Sequence, residues 1–472
     1  MRNLAEEEHR SVENTVKILV CDSTVNICKS NPRAEKVFCV LCRNYRKHLF
    51  SRLPKDIEVL HYKDFYLPEN KLAVDSLRFD YDSAQEIKAL TYKNVKIGYG
   101  AFSTYVTLTR NLYPETDGNF RRYFNQYLKA ECILIELLGN VLDKVRPDKV
   151  SLYNGRHFET RPVLELAKSL GYTTRCYENI RTGGSVRNRN YICFENAFVH
   201  GIKPICDLIR KTWDESNLPE DEKQMIGDTF FANKRGSLYA GDRVYTKKQK
   251  YGSMPDGFDK SKRNIAIFTS SEDEFASIDS EYDDDQVFAS QQQGIAEILE
   301  HFKNNTNFHF YLRVHPNLKN VKYRYHTSLL KLGDIYNNVT VIKAGDEISS
   351  YSLLENVEKV VVFGSTIGVE AAYWGKPVIL LCAAFYKYLD ICYKPENAEE
   401  AFSLIEADGL RIKDKTDALK YGFYSMYERN SKSVRCDSQG LFKVFREIAI
   451  ALGRIRLFGG MRIPMKEKAT HR

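Results

Sequence analysis

No apolar run in the 472-residue sequence approaches the ~18 to 20 residues that a bilayer-spanning helix requires, which excludes integral membrane insertion by helices. The opening stretch, Met1 to Glu13, has no basic segment leading into an apolar one, so no secretory signal is expected there. A disulfide framework is equally lacking. The eleven cysteines are odd in number and scattered, and Cys21, Cys39, Cys132, Cys193 and Cys382 fall inside apolar runs, as buried thiols in a reducing cytosol do. Cys39 and Cys42 form a CxxC with no second Cys or His pair at metal-ligand spacing, so neither a zinc centre nor a redox motif is expected. The net charge of +8 is too small for this length to argue for a nucleic-acid partner.

The composition that is present, 43% hydrophobic, 12% aromatic and 28% charged, suits a globular chain and excludes a disordered polyampholyte or a collagen-like fibre. The length exceeds what one core holds, since single cores stop growing near ~250 to 300 residues. Strand-like runs at Val16 to Asp22, Val37 to Leu41 and Ile57 to His61 precede a helical pattern from Asn119 to Val145, stopped by Pro147. Strand Lys149 to Tyr153, helix Arg161 to Leu170 and strand Tyr172 to Tyr177 follow. The aperiodic stretch Gly236 to Arg263 reads as a linker. Beyond it, strands at Asn264 to Thr269, Phe308 to Val314, Val339 to Ile342, Lys359 to Phe363 and Pro377 to Leu381 alternate with helices. The expectation is an α/β protein of two Rossmann-like domains facing a cleft, with mainly parallel sheets. Its parts are an N-terminal acceptor-side domain (1–235), the linker (236–263), a nucleotide-sugar-binding domain (264–410) and a C-terminal helical segment with a basic tail (411–472).

Ligands in such sheets bind beyond the carboxyl ends of the strands, and the informative residues fall there. In Val360-Val-Val-Phe-Gly-Ser-Thr-Ile-Gly-Val-Glu370, Gly364 permits a tight turn, Ser365 and Thr366 offer hydroxyls and a cap, and Glu370 stands one turn further on, placed to accept from ribose or base. The bland alternative is a cap and a solvated acid. In Leu312-Arg-Val-His-Pro316, Arg313 and His315 project to one side of a strand end, a pairing that suits phosphate oxygens; the alternative is bonding to loop carbonyls. In the first half, Asn154, Arg156 and His157 follow one strand, and Glu178 ends the next, where a carboxylate can serve as general base for an acceptor hydroxyl.

Together these motifs resemble the bacterial capsular polysaccharide biosynthesis glycosyltransferases, a group of GT-B fold similar to capsule Kdo transferases and polysialyltransferases. The resemblance covers roughly Lys149 to Leu381, best in the second half. It implies that His315 contacts the donor phosphate, that Ser365 and Thr366 assist, that Ser270 and Ser271 face the donor, and that the base is an acid of the N-terminal domain. Where polysialyltransferases carry acidic-acidic-Gly, this chain has Glu178-Asn179-Ile180. The donor it implies is a nucleotide sugar, with a CMP-linked acidic sugar favoured, and the acceptor a surface polysaccharide or glycolipid. No cofactor or metal is called for, because Arg313, His315 and a helix terminus would neutralise the leaving phosphate. The acidic run Glu281 to Asp285 lies in a polar loop and reads as solvated acids rather than a metal motif. Alternatives of another kind are a nucleotide-sugar 2-epimerase or a non-catalytic assembly component. From Lys443 to Arg472, eight Lys or Arg interleave with apolar residues, a pattern that suits either an anionic membrane surface or packing on the N-terminal domain. The expected location is the cytoplasm, peripheral to the inner face of the membrane.

Overall fold

The computed structural model describes residues 2–9, 14–180, 188–238, 246–427 and 432–435. The chain forms two compact units: Met1–Val199 with Ala276–Ile278 and Lys432–Ile463, and His200–Phe275 with Asp279–Ser431 and Pro464–Arg472.

In the first unit, β1 (Lys17–Val20) pairs in parallel with β2 (Glu58–His61). Between them runs α1 (Lys36–Phe50), where alternation had been expected to give a strand at Val37 to Leu41. The reason for the helix is visible once the window is widened. Phe38, Leu41, Tyr45 and Leu49 recur at spacings of three and four and are half-buried, whereas Val37 and Val40 face solvent. Two further helices, α2 (Gly98–Thr109) and α3 (Gly118–Val145), carry the aromatic core, with Phe120 stacked on Phe124 and Tyr127 against Phe158. Asp117 caps α3 by accepting from the Phe120 N–H at 2.8 Å, and Arg146 ends it in a left-handed turn just before Pro147. Strand β3 (Lys149–Tyr153), helix α4 (Arg161–Ser169) and strand β4 (Thr173–Ile180) form a parallel βαβ unit. The next strand, β5 (Asn188–Glu195), returns antiparallel to β4, so this sheet is mixed rather than uniformly parallel.

The second unit begins with α5 (Ile202–Asp214) and α6 (Glu220–Arg235), helices expected to complete the first domain. Their apolar faces explain the reassignment. Trp213 meets Phe423 at 5.3 Å, Phe231 stacks on Tyr373 at 3.8 Å, and Phe230 meets Tyr421. The central sheet is β6 (Arg263–Phe268), β7 (Phe308–Arg313), β8 (Val339–Ile342), β9 (Lys359–Val362) and β10 (Val378–Leu380). All five strands are parallel, in the order β8-β7-β6-β9-β10. Strands such as Ile265-Ala266-Ile267 and Val360-Val361-Val362 are apolar on both faces because helices cover both sides. Among those helices are α7 (Gln291–His301), α8 (Ser350–Asn356), α9 (Ile367–Tyr373), α10 (Ala398–Glu406) and α11 (Thr416–Met426). Fully buried Lys359 is compensated by the last turn of α10, where its ammonium donates to the Ile405 carbonyl at 2.7 Å. Strand β11 (Lys432–Arg435) returns to the first unit and adds antiparallel to β5.

The expected linker is partly built into the second unit. Lys250 N–H donates to the Glu347 carbonyl, Ser349 N–H to the Ser253 carbonyl, and Gly252 N–H to the Ser352 hydroxyl, so the segment from 249 to 253 is laid along the start of α8. The basic tail from Lys443 to Arg472 lies outside the described residues. No helix among the described residues is long and apolar enough to cross a membrane.

Candidate functional site

Strand order places the site. Strand β6 is flanked by β7 on one side and β9 on the other, so the chain leaves β6 and β9 in opposite directions and opens a crevice at their carboxyl ends. A pocket lies there, lined by Thr269 after β6, Arg313 and His315 from β7, Ser365, Thr366 and Glu370 after β9, Ser350 and Tyr351 of α8, Lys234 of α6, and Thr246 and Gln249 of the segment leading into β6.

His315 is held by its own backbone and ring. Its N–H donates to the Thr269 hydroxyl at 2.8 Å, and its Nδ1 accepts the Asn317 N–H at 3.2 Å. An Nδ1 used as acceptor leaves the proton of the neutral imidazole on Nε2. Arg313 is almost completely buried. Two of its nitrogens donate to the Lys343 and Asp346 carbonyls at 3.0 and 3.3 Å, and its Nε finds no protein acceptor. Burial, only partly offset by the Asp346 carboxylate, lowers it to about 10, which still leaves it cationic at neutral pH. The carbonyl-bonded alternative therefore describes most of its guanidinium. Its contribution to the pocket is a fixed positive charge.

The turn after β9 behaves differently from a simple cap. Gly364 sits at φ +73°, and a Cβ there would come within 2.9 Å of the Ala383 carbonyl. Thr366 stands at the N-cap position without a side-chain capping bond. Among the described residues neither the Ser365 nor the Thr366 hydroxyl has a protein partner, which leaves both for a ligand. Gly368 lies against Tyr386, whose hydroxyl donates to the Ser365 carbonyl at 2.7 Å and fixes the turn. Glu370 is not solvated: it is 4% exposed, accepts from the Tyr351 hydroxyl, and has the Lys234 ammonium 3.7 Å away.

Ser270 and Ser271 are buried and do not line the pocket. Ser270 N–H donates to Gln291 Oε1 at 2.8 Å, while the Ser271 hydroxyl donates to Asp273 and accepts from Asn317 Nδ2. They support the loop that carries Asn317 and hence the His315 ring. In the acidic run, Glu281 accepts the Ile202 N–H, and Asp285 pairs with Lys387 at 2.5 Å.

The remaining candidates belong to the first unit. Asn154 and Gly155 take left-handed conformations after β3, with φ of 64° and 75°. The Asn154 amide donates to the Glu178 carboxylate, which also accepts from the Tyr153 hydroxyl at 2.6 Å. Arg156 is committed to Ser103 Oγ at 2.6 Å and to the Ala276 carbonyl. His157 Nε2 lies 2.6 Å from Lys29 Nζ, and the Lys29 N–H donates to Glu159.

Sequence reasoning missed Lys234, Thr246, Gln249 and Tyr351. Tyr351 follows a strand at the start of a helix, the same location that singled out Ser365, and could have been found by that logic. Lys234 and Gln249 reach the pocket only through tertiary packing.

Among solved structures, the chain is similar to the beta Kdo 2,4 transferase of Thermosulfurimonas dismutans KpsC, with 15% identity over 64% of this chain and 87% of that one and a TM-score of 0.38. It is similar to UDP-GlcNAc 2-epimerase from Neisseria meningitidis, with 14% identity, coverage of 87% and 97%, and a TM-score of 0.31. It is similar also to the glycosyltransferase SnogD from Streptomyces nogalater, with 13% identity, coverage of 88% and 96%, and a TM-score of 0.25. No curated protein matches the chain. Residues 245–403, about a third of the chain, which supply every lining residue of the pocket except Lys234, match the family model for Capsule polysaccharide biosynthesis protein.

Proposed function

We propose that the protein is a GT-B-type glycosyltransferase of capsule synthesis that moves a sugar from a nucleotide donor to a glycan or glycolipid acceptor. The observation that carries this reading is the lining of one pocket by a buried cation at Arg313, the His315 imidazole and the Ser365 and Thr366 hydroxyls, within the stretch matching the capsule family. Such a set binds a phosphate oxygen and stabilises the charge that grows on it as the glycosidic bond breaks. Arg313, His315, Ser365 and Thr366 hold the leaving phosphate, and Glu370 accepts from the ribose. The donor is a nucleotide sugar, with a CMP-linked acidic sugar favoured by the sequence resemblance. Departure of the phosphate needs no metal in this scheme, because the charge is met by side chains already in place.

Glu178 is the base. The Tyr153 hydroxyl and the Asn154 amide both donate to it and fix its orientation, and a carboxylate is a group that takes a proton from an acceptor hydroxyl. Asn154 positions that carboxylate, whereas Arg156 and His157 shape the acceptor side. The protein works in the cytoplasm, and the cations between Lys443 and Arg472 bring it to the anionic inner face of the membrane.

The test pairs two variants. His315→Ala should abolish the rise in melting temperature produced by the bound nucleotide, whereas Glu178→Gln should keep that rise and lower turnover by roughly 10²- to 10⁴-fold. Nucleotide binding unchanged in His315→Ala would overturn the phosphate assignment. Turnover of the donor without any acceptor would identify an epimerase instead.

A further inference from the structure

Helix α1 opens a stretch without an acidic residue. From Lys36 to Lys55 the sequence holds six Lys or Arg and no Asp or Glu, against a net charge of +8 for the entire chain. No residue of the helix itself is fully buried. Phe38, Leu41, Tyr45 and Leu49 lie half-buried on its inner side, and Arg46 turns back to donate to the Cys21 carbonyl. On the outer side Lys36, Val40, Arg43 and Lys47, spaced by four, three and four, form one stripe with Val37 beside it, and all five are exposed. The two valines, Val37 and Val40, are 56% and 42% exposed. Among the described residues none of the three cations of the stripe is in an ion pair, and the nearest acid in sequence, Glu35, is taken by Arg33 at 3.6 Å.

Helix chemistry does not account for this face. The helix dipole favours a cation in the last turn, which covers Lys47, and disfavours one in the first, where Lys36 stands. A soluble polyanion would be met by the cations alone and would leave the valines in water. A bilayer with anionic headgroups meets both, with charge at its surface and hydrocarbon just beneath. The C-terminal tail is no match as a cover, because it is itself basic, with eight Lys or Arg against two Glu between Lys443 and Arg472. At 15 residues α1 is too short to span a membrane, so its contact with one is along its side.

We propose that the outer face of α1 docks the protein on an anionic bilayer, with Lys36, Arg43 and Lys47 against the headgroups and Val37 and Val40 reaching between them, a contact separate from the tail. The full chain is sedimented with vesicles of phosphatidylcholine alone or mixed with phosphatidylglycerol, and is passed over immobilised heparin as a soluble polyanion. Lys36→Gln/Arg43→Gln/Lys47→Gln, with the tail intact, should weaken binding to the anionic vesicles by roughly 10²-fold, about fivefold for each cation removed. Val37→Ser/Val40→Ser should weaken it by at least roughly tenfold and leave retention on heparin unchanged. Because every substituted side chain is exposed, the melting temperatures of both variants should agree with that of wild type. Vesicle binding kept in the triple variant but lost in Arg454→Gln/Arg456→Gln/Arg462→Gln would give the membrane contact to the tail alone and overturn this proposal. Vesicle binding kept in the valine variant, with vesicles and heparin both lost by the triple variant, would make α1 a site for soluble polyanions and overturn it as well. A wild-type protein that ignores anionic vesicles would overturn the roles of both α1 and the tail and leave the glycosyltransferase reading standing.

Discussion

Glu272 shows how burial at a single residue writes a pH dependence into the fold. Its side chain sits behind the loop after β6, where Gln292 Nε2 donates to it at 2.5 Å. Burial dominates that bond and raises the carboxyl from 4.5 to about 7. A folded-state value above the unfolded one means that the native protein holds a proton that the unfolded chain releases. The stabilisation is complete below pH ~4.5 and is lost as pH rises through ~7. Gln at this position mimics the protonated acid at every pH. Glu272→Gln should therefore match wild type in a thermal melt at pH 4 and exceed it at pH 8; an equal difference in melting temperature at both values would show that the carboxyl ionises normally.

At the scale of elements, the turn from β9 into α9 depends on an approach that only glycine permits. A methyl group on Gly368 would run into the hydroxyl of Tyr386, which is fully buried and cannot swing away. Gly368→Ala should cost ~1 to 3 kcal/mol in a urea titration. Tyr386→Phe in that background should recover part of the loss, because it removes the first atom struck; a double variant no more stable than the single one would show that the strain lies elsewhere. This turn was legible in the sequence because its strand, glycine, hydroxyls and helix are contiguous between Val360 and Glu370. The Arg313 and His315 pair was legible for the same reason. Helix α1 was not, since a window of five residues in Val37 to Leu41 cannot tell a strand from one and a half helical turns, and the deciding Tyr45 and Leu49 lie beyond it. Lys234 and Gln249 were illegible for a different reason. Neither belongs to a local pattern, and each is brought to the pocket by aromatic packing or backbone bonds with residues about 100 or more positions later in the chain.

For the whole molecule, the boundary between the units has a direct consequence. Phe230, Phe231 and Trp213 find their partners at Tyr421, Tyr373 and Phe423, so α5 and α6 complete the core of the second unit. A fragment beginning at 200 and ending at 427 should melt cooperatively and keep nucleotide binding. One beginning at 236 should lose both, because it exposes those aromatic faces and discards Lys234. Cooperative melting of the shorter fragment would restore the boundary expected from the linker's composition. Composition misplaced it because a polar, aperiodic segment resembles a free tether even where, as from 249 to 253, its backbone is bonded to α8.

The crevice beyond β6 follows from the order in which five strands are threaded, before any side chain is chosen. Location and selectivity are thus inherited separately in this protein. Drift in the residues around the opening can exchange one cargo for another while the address stays put, and an insertion that rethreads the strands would erase the address even if every lining residue were kept.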